Sequence, residues 1–346
     1  MNYLILGNGF DIEHGLPTRY PDFIKTCEYV KKYPVGWGPE GANVQLSAKG
    51  YDFTETGILT EFCNAIKSEK YIKFRTIVFD CFWIDHFISL REKIGEKWID
   101  FENEIENIIE GLIKAFSEKS LTDIVKETPY ETLTHCLNDK YYIGGKTIKD
   151  LFVFLQEQYK LLVESIEIYM GIYVNSITSE KKSDLFELKY DGVISFNYTT
   201  SFQRLYGDEI PCCFIHGKAS SDRIVLGYQK QDNYDDRITR ENIFYQKYYQ
   251  RVINGTDNSY INWIEDIETS YDIENRVVIF GHSLSPVDGQ ILKDFITAKF
   301  TVTDIYYLDE ADRADKIRNL LIILGQEEFQ KRAGGKTPSI TFKTLN

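Results

Sequence analysis

Short, unbroken apolar runs that end in glycine or polar residues recur near both ends of the chain, at 3–6, 192–196, 212–215, 277–280 and 304–308. Runs of this length fit strands buried on both faces of a parallel sheet. Helical periodicity follows several of them, over residues 19–33, 201–205, 288–300 and 311–324. Strands alternating with helices predict an α/β fold built on a Rossmann-like, mostly parallel sheet. Leu16-Pro17-Thr18 reads as the entry to the first long helix, with Thr18 as its N-cap.

The middle of the chain follows a different rule. From about residue 55 to 187 the pattern is mostly helical, with an amphipathic segment at 98–109 and one long helix expected over 149–174. The glycines and proline of residues 35–41 mark a loop. A large helical insertion is therefore expected between the first and second strands. The Rossmann-like domain then comprises residues 1–34 and 188–346, and the helical domain residues 35–187. Residues 229–273, rich in Tyr, Asn and Asp, read as a second, smaller insertion.

Composition narrows the function. A net charge of −13 opposes broad binding to a phosphate backbone, so nucleic acid is a disfavoured partner. No apolar stretch is long enough to span a membrane, and the short apolar N-terminus lacks a signal-peptide pattern. The 6 cysteines form no C-x-x-C pair, which argues against structural zinc and a disulfide scaffold and suggests a reducing cytoplasm.

The candidate chemistry sits at the ends of the predicted strands. Gly7-Asn8-Gly9-Phe10-Asp11 follows the first strand directly, where glycines permit positive φ and a close backbone approach to phosphate or ribose. The dehydrogenase fingerprint fails, because the third glycine position is Ile12 and no second strand follows with a ribose-binding acid. A Walker A motif is absent. Ser195-Phe196-Asn197-Tyr198-Thr199, Ile215-His216-Gly217 and Gly281-His282-Ser283 close later strands, with Asp288 shortly after. Carboxyl ends of parallel strands share one edge, so Asp11, Asn197, His216 and His282 should converge there. His86 and His135 read as structural residues of the insertion. No spacing carries a metal signature, and no metal is expected.

These motifs resemble the AbiH family, bacterial proteins associated with abortive infection against phage. The likeness rests on residues 4–20 with Asp22 and Phe23, on Trp98, Asp100 and Glu102, and on the strand-end motifs with Asp288. That family is similar, more distantly, to sirtuin-like NAD-binding domains. The resemblance implies NAD as substrate or ligand, with Gly7, Asn8, Gly9 and Phe10 as the dinucleotide loop. It makes Asn197 the ribose contact, His216 the base, and Gly281, His282, Ser283 and Asp288 a second gripping segment. Thr199 stands where an aspartate is expected and His282 where a threonine is, and the zinc-ribbon cysteines are missing, so lysine deacylation is not implied. The expected activity is NAD hydrolysis at the nicotinamide–ribose bond, with Asp11 or Glu102 stabilising developing positive charge. Glu102 can do so only if the helical insertion packs over the site. A non-catalytic nucleotide sensor and a metal-dependent nuclease built on Asp11, Glu102 and Asp288 remain open. A phage trigger protein and self-association are further expected partners.

Overall fold

The computed structural model describes residues 1–32, 69–94, 100–118, 148–219, 221, 223–229, 240–270 and 274–345. The loop expected at 35–41, together with Cys63, Trp98, His135 and Cys136, lies outside the described residues.

Alternation within the first apolar run sets the architecture. In β1 (Asn2–Leu6), Tyr3 and Ile5 enter the core on one face of the sheet and Leu4 and Leu6 on the other. A strand that is apolar on both faces belongs in the middle of a covered parallel sheet. β1 accordingly pairs in parallel with β2 (Gly192–Ser195) on one side. On its other side it pairs with β4 (Asn275–Phe280), also in parallel. With β3 (Cys212–Phe214), β5 (Thr301–Tyr307) and β6 (Ile340–Thr344), six parallel strands run in the order β3-β2-β1-β4-β5-β6. The chain builds outward from β1 in one direction, returns across it, and builds outward in the other. That reversal, between β1 and β4, is where doubly wound sheets open a ligand crevice at their carboxyl edge.

Among the described residues the helices are α1 (Asn8–Glu13), α2 (Tyr20–Lys32), α3 (Glu69–Asp80), α4 (Phe82–Ile94), α5 (Phe101–Glu118) and α6 (Ile148–Ile168) before β2. Later come α7 (Ser201–Tyr206), α8 (Lys247–Asn254), α9 (Tyr260–Thr269), α10 (Gly289–Thr297), α11 (Glu310–Leu324) and α12 (Gln326–Ala333). Phe10, Phe186 and Phe202 cover one sheet face, and Ile291, Leu292, Phe295 and Leu320 cover the other. A third core gathers α2 to α6 with Leu226, Tyr228 and Tyr245 from the chain after β3. Its centre is a run of rings: Phe101 stacks on Tyr20 at 4.2 Å and on Phe87 at 3.9 Å. Tyr169 donates to the Pro17 carbonyl at 2.9 Å and ties this core to the segment after β1. The helical insertion thus stands against the carboxyl edge of the sheet.

The structure departs from the sequence reading in four local places. The helix expected over 149–174 stops at Ile168, and a π-helical turn (Tyr169–Tyr173) and a 3₁₀ turn (Val174–Ser176) follow. The wider turn accommodates an extra residue while Tyr169, Met170 and Tyr173 remain buried. Thr18 does not cap α2; its hydroxyl donates to Asn8 Oδ1 at 2.5 Å. β6 escapes a search for continuous apolar runs because, as an edge strand, it fully buries only Ile340. α1 begins inside the glycine loop itself. The described cysteines are free thiols. Among the described residues, no helix is long and apolar enough to cross a membrane.

The two glycine loops at the reversal hold each other. Gly7 N–H donates to Phe280 O at 3.0 Å and Gly9 N–H to Gly281 O at 2.8 Å. A Cβ on Gly7 would fall 2.5 Å from His282 Cα, and one on Gly9 2.5 Å from Gly281 Cα. Positive φ occurs at Gly281 (+67°), where a Cβ would stand 2.4 Å from Phe10 N. Gly281→Ala is therefore expected to destabilise by at least about 2 kcal/mol, combining left-handed strain with a backbone clash. Gly15→Ala, at φ +73° with nothing within 4 Å, isolates the backbone component alone. Equal denaturant midpoints for the two variants would remove the packing argument.

Candidate functional site

The loops that leave β3 and β4 cross above the sheet edge and bring His216 and Asp288 together. His216 Nε2 lies 3.0 Å from Asp288 Oδ1. Lys247, the first residue of α8, reaches the same oxygen at 3.4 Å and Glu102 Oε2 at 3.0 Å. His282 Nε2 stands 3.9 Å from Asp288 Oδ2. Phe196, one residue past β2, wedges between the two imidazoles, its ring 5.4 Å from His216 and 4.4 Å from His282. Five ionisable side chains from the two insertions and two strand ends thus converge. Glu102 arrives on α5, so the insertion does pack over the edge.

Hydrogen bonds assign the protons. Leu284 N–H donates to His282 Nδ1 at 2.9 Å, which leaves the His282 proton on Nε2, facing Asp288. Leu284 holds this amide in place from a left-handed conformation, φ +55°, that a branched side chain rarely adopts. His216 donates through Nε2, so the neutral ring carries its lone pair on Nδ1.

Burial and charge then divide the groups. Burial lowers His216, the Lys247 ammonium lowers it further, and Asp288 only partly opposes them. Burial pushes His282 down to about 4. For Asp288 burial acts upward, but Lys247 and the two histidines outweigh it and hold the carboxyl far below its usual range. Burial raises Glu102 to about 7 despite Lys247. Lys247 is raised overall, because Asp288 and Glu102 outweigh the burial penalty. Near neutral pH the cluster holds a fixed carboxylate, a fixed ammonium, two neutral imidazoles and a carboxyl poised to change state.

The other expected site residues are placed as follows. Asn197 donates through Nδ2 to Gly7 O at 3.1 Å, while its buried Oδ1 has no partner. Asp11 lies away from the Asp288 group: it accepts from Thr199 at 2.7 Å and from Ser201, at the start of α7. Asn8 is latched to Thr18, and Phe10 is fully buried against His14 and Phe186. Ser283 is exposed, and its carbonyl accepts from Asn319 at 3.0 Å. Gly7, Gly9 and Gly281 form the floor between β1 and β4. Glu102 and Asp288 meet at Lys247 while Asp11 binds Thr199 and Ser201 instead, and no group of three or more His, Cys, Asp or Glu among the described residues is placed to hold a metal ion. Lys247 escaped sequence reasoning. It lies in the second insertion, and only its position at the start of an apolar-patterned helix marks it.

A parallel sheet of this order, carrying an oriented His–Asp pair at its carboxyl edge, defines an α/β protein with a cluster of ionisable groups where the strands end. The family model "Bacteriophage abortive infection AbiH" matches residues 3–307, from β1 to the end of β5. The chain belongs to the AbiH family, and its role is in abortive infection of phage-infected cells. No curated protein and no solved structure matches it.

Proposed function

We propose that the chain serves abortive infection by binding NAD or a related nucleotide in the crevice between β1 and β4 and hydrolysing its nicotinamide–ribose bond. The His216–Asp288 pair, 3.0 Å apart at the strand ends, carries this reading. An imidazole oriented by a carboxylate through one nitrogen presents the other as a general base. In the proposed step the C–N bond breaks, its electron pair leaves with nicotinamide, and water attacks the ribose carbon. His216 Nδ1 takes the proton released by that water. The unpartnered Asn197 Oδ1 supports the same assignment, since a buried acceptor is matched by a donor such as a ribose hydroxyl. Glu102, in its ionised form, would stabilise positive charge on the ribose.

The test is nicotinamide release from NAD by the purified chain. His216→Ala is expected to lower turnover by about a hundredfold or more, and Asn197→Ala to weaken NAD binding. Undiminished turnover in both variants would remove the mechanism. Saturable NAD binding without cleavage would leave a nucleotide sensor in its place.

A further inference from the structure

One turn after Lys247 on α8, Gln250 donates to Tyr159 OH at 2.9 Å, Leu226 O at 2.7 Å and Phe244 O at 3.0 Å. These bonds fix one wall of a cavity of about 780 Å³ between α3, α6 and α8. That volume lies within the range of about 300–1,000 Å³ typical of small-molecule sites. The lining is mostly apolar and aromatic, and includes Phe244, Tyr249 and Ile172 of the π-helical turn. Such wider turns recur at functional sites.

The charges in the lining give the ligand class. Lys70, Lys73 and Lys160 line the cavity of a chain whose net charge is −13. Two carboxylates share the lining, and one of them, Glu164, is paired with Lys73. Lys160 Nζ sits 5.7 Å from the centre of the Phe244 ring, so aromatic surface and positive charge are presented side by side. We propose that this cavity is a second small-molecule site, for a flat aromatic body carrying one anionic group. The ring packs against Phe244 and Tyr249, and the anion faces Lys160 and Lys70. The assignment does not depend on the chemistry at Asp288.

The test uses the full chain and anilinonaphthalene sulfonate as a fluorescent aromatic anion. Saturable one-site binding is expected. Val163→Trp, which fills the cavity, should weaken it by at least about tenfold, and the exposed Lys160→Glu by at least about threefold. Leu308→Ser, which removes an 84% exposed apolar residue outside the cavity lining, should leave it unchanged. Melting curves establish that each variant is folded; if Val163→Trp is not, Lys160→Glu decides. Absence of saturable binding, equal affinity in folded Val163→Trp or in Lys160→Glu, or loss of binding in Leu308→Ser would each overturn the proposal.

Discussion

Lys247→Met is expected to lower folding stability by about 3–5 kcal/mol near neutral pH, the usual consequence of removing one partner from a buried ion pair. The lysine side chain is 4% exposed and faces two carboxylates, so its loss strands negative charge in a largely buried cluster. The sign of the pH dependence follows from Glu102. Its native carboxyl titrates near 7 even with Lys247 present, and without the ammonium it will hold its proton to higher pH. The deficit of the variant should therefore shrink on acidification and grow on alkalinisation. Adding Glu102→Gln to Lys247→Met should restore part of the lost stability, a coupling that denaturant unfolding of the four proteins in the cycle will measure. Additive effects would mean that the two charges do not interact as their 3.0 Å separation requires.

The effect of Asp11→Asn on stability is expected to depend strongly on pH. The Asp11 carboxyl is raised from 3.8 to about 6 by burial, with hydrogen bonds from Ser201 and Thr199 opposing the shift. A carboxyl whose native pKa is raised favours folding fully below its unfolded pKa and loses that contribution as pH rises through the native value. The difference between 3.8 and about 6, at roughly 1.36 kcal/mol per unit, is about 3 kcal/mol. Asparagine cannot ionise, so the stability of the variant relative to the parent should improve by about that much between about pH 3 and pH 7. Urea midpoints across this range provide the measurement. A pH-independent difference would show that Asp11 titrates normally despite its burial.

How far the sequence reaches depends on the kind of signal. Central strands such as β1 and β4 are visible because burial on both faces demands unbroken apolar residues. Parallel topology then places Asn197, His216 and His282 on one edge without further information. β6 is not visible in this way, since an edge strand satisfies only one face and its Thr341 and Lys343 are needed by Asp304. The site was legible only in part for a related reason. Motif position gives the edge on which a residue falls, not the partner it meets. Asp11 and Asp288 both follow strands, yet one carboxylate binds the hydroxyls of Thr199 and Ser201, and the other receives His216 and Lys247. Lys247 was hidden because its role depends on how far an insertion folds back, a distance that no local pattern encodes. The glycines at positions 7 and 9 suggested an approach to ligand, but what presses on them is the backbone of Gly281 and His282.

Glu102, His216, Lys247 and Asp288 occur in that order along the chain, with Asp288 contributed only after β4. A ribosome delivers such a constellation last-piece-last. Any chain interrupted before β4 carries a lysine and a glutamate but no aspartate to hold the histidine, and so cannot assemble the charged group. Only a chain extended past β4 can complete the group.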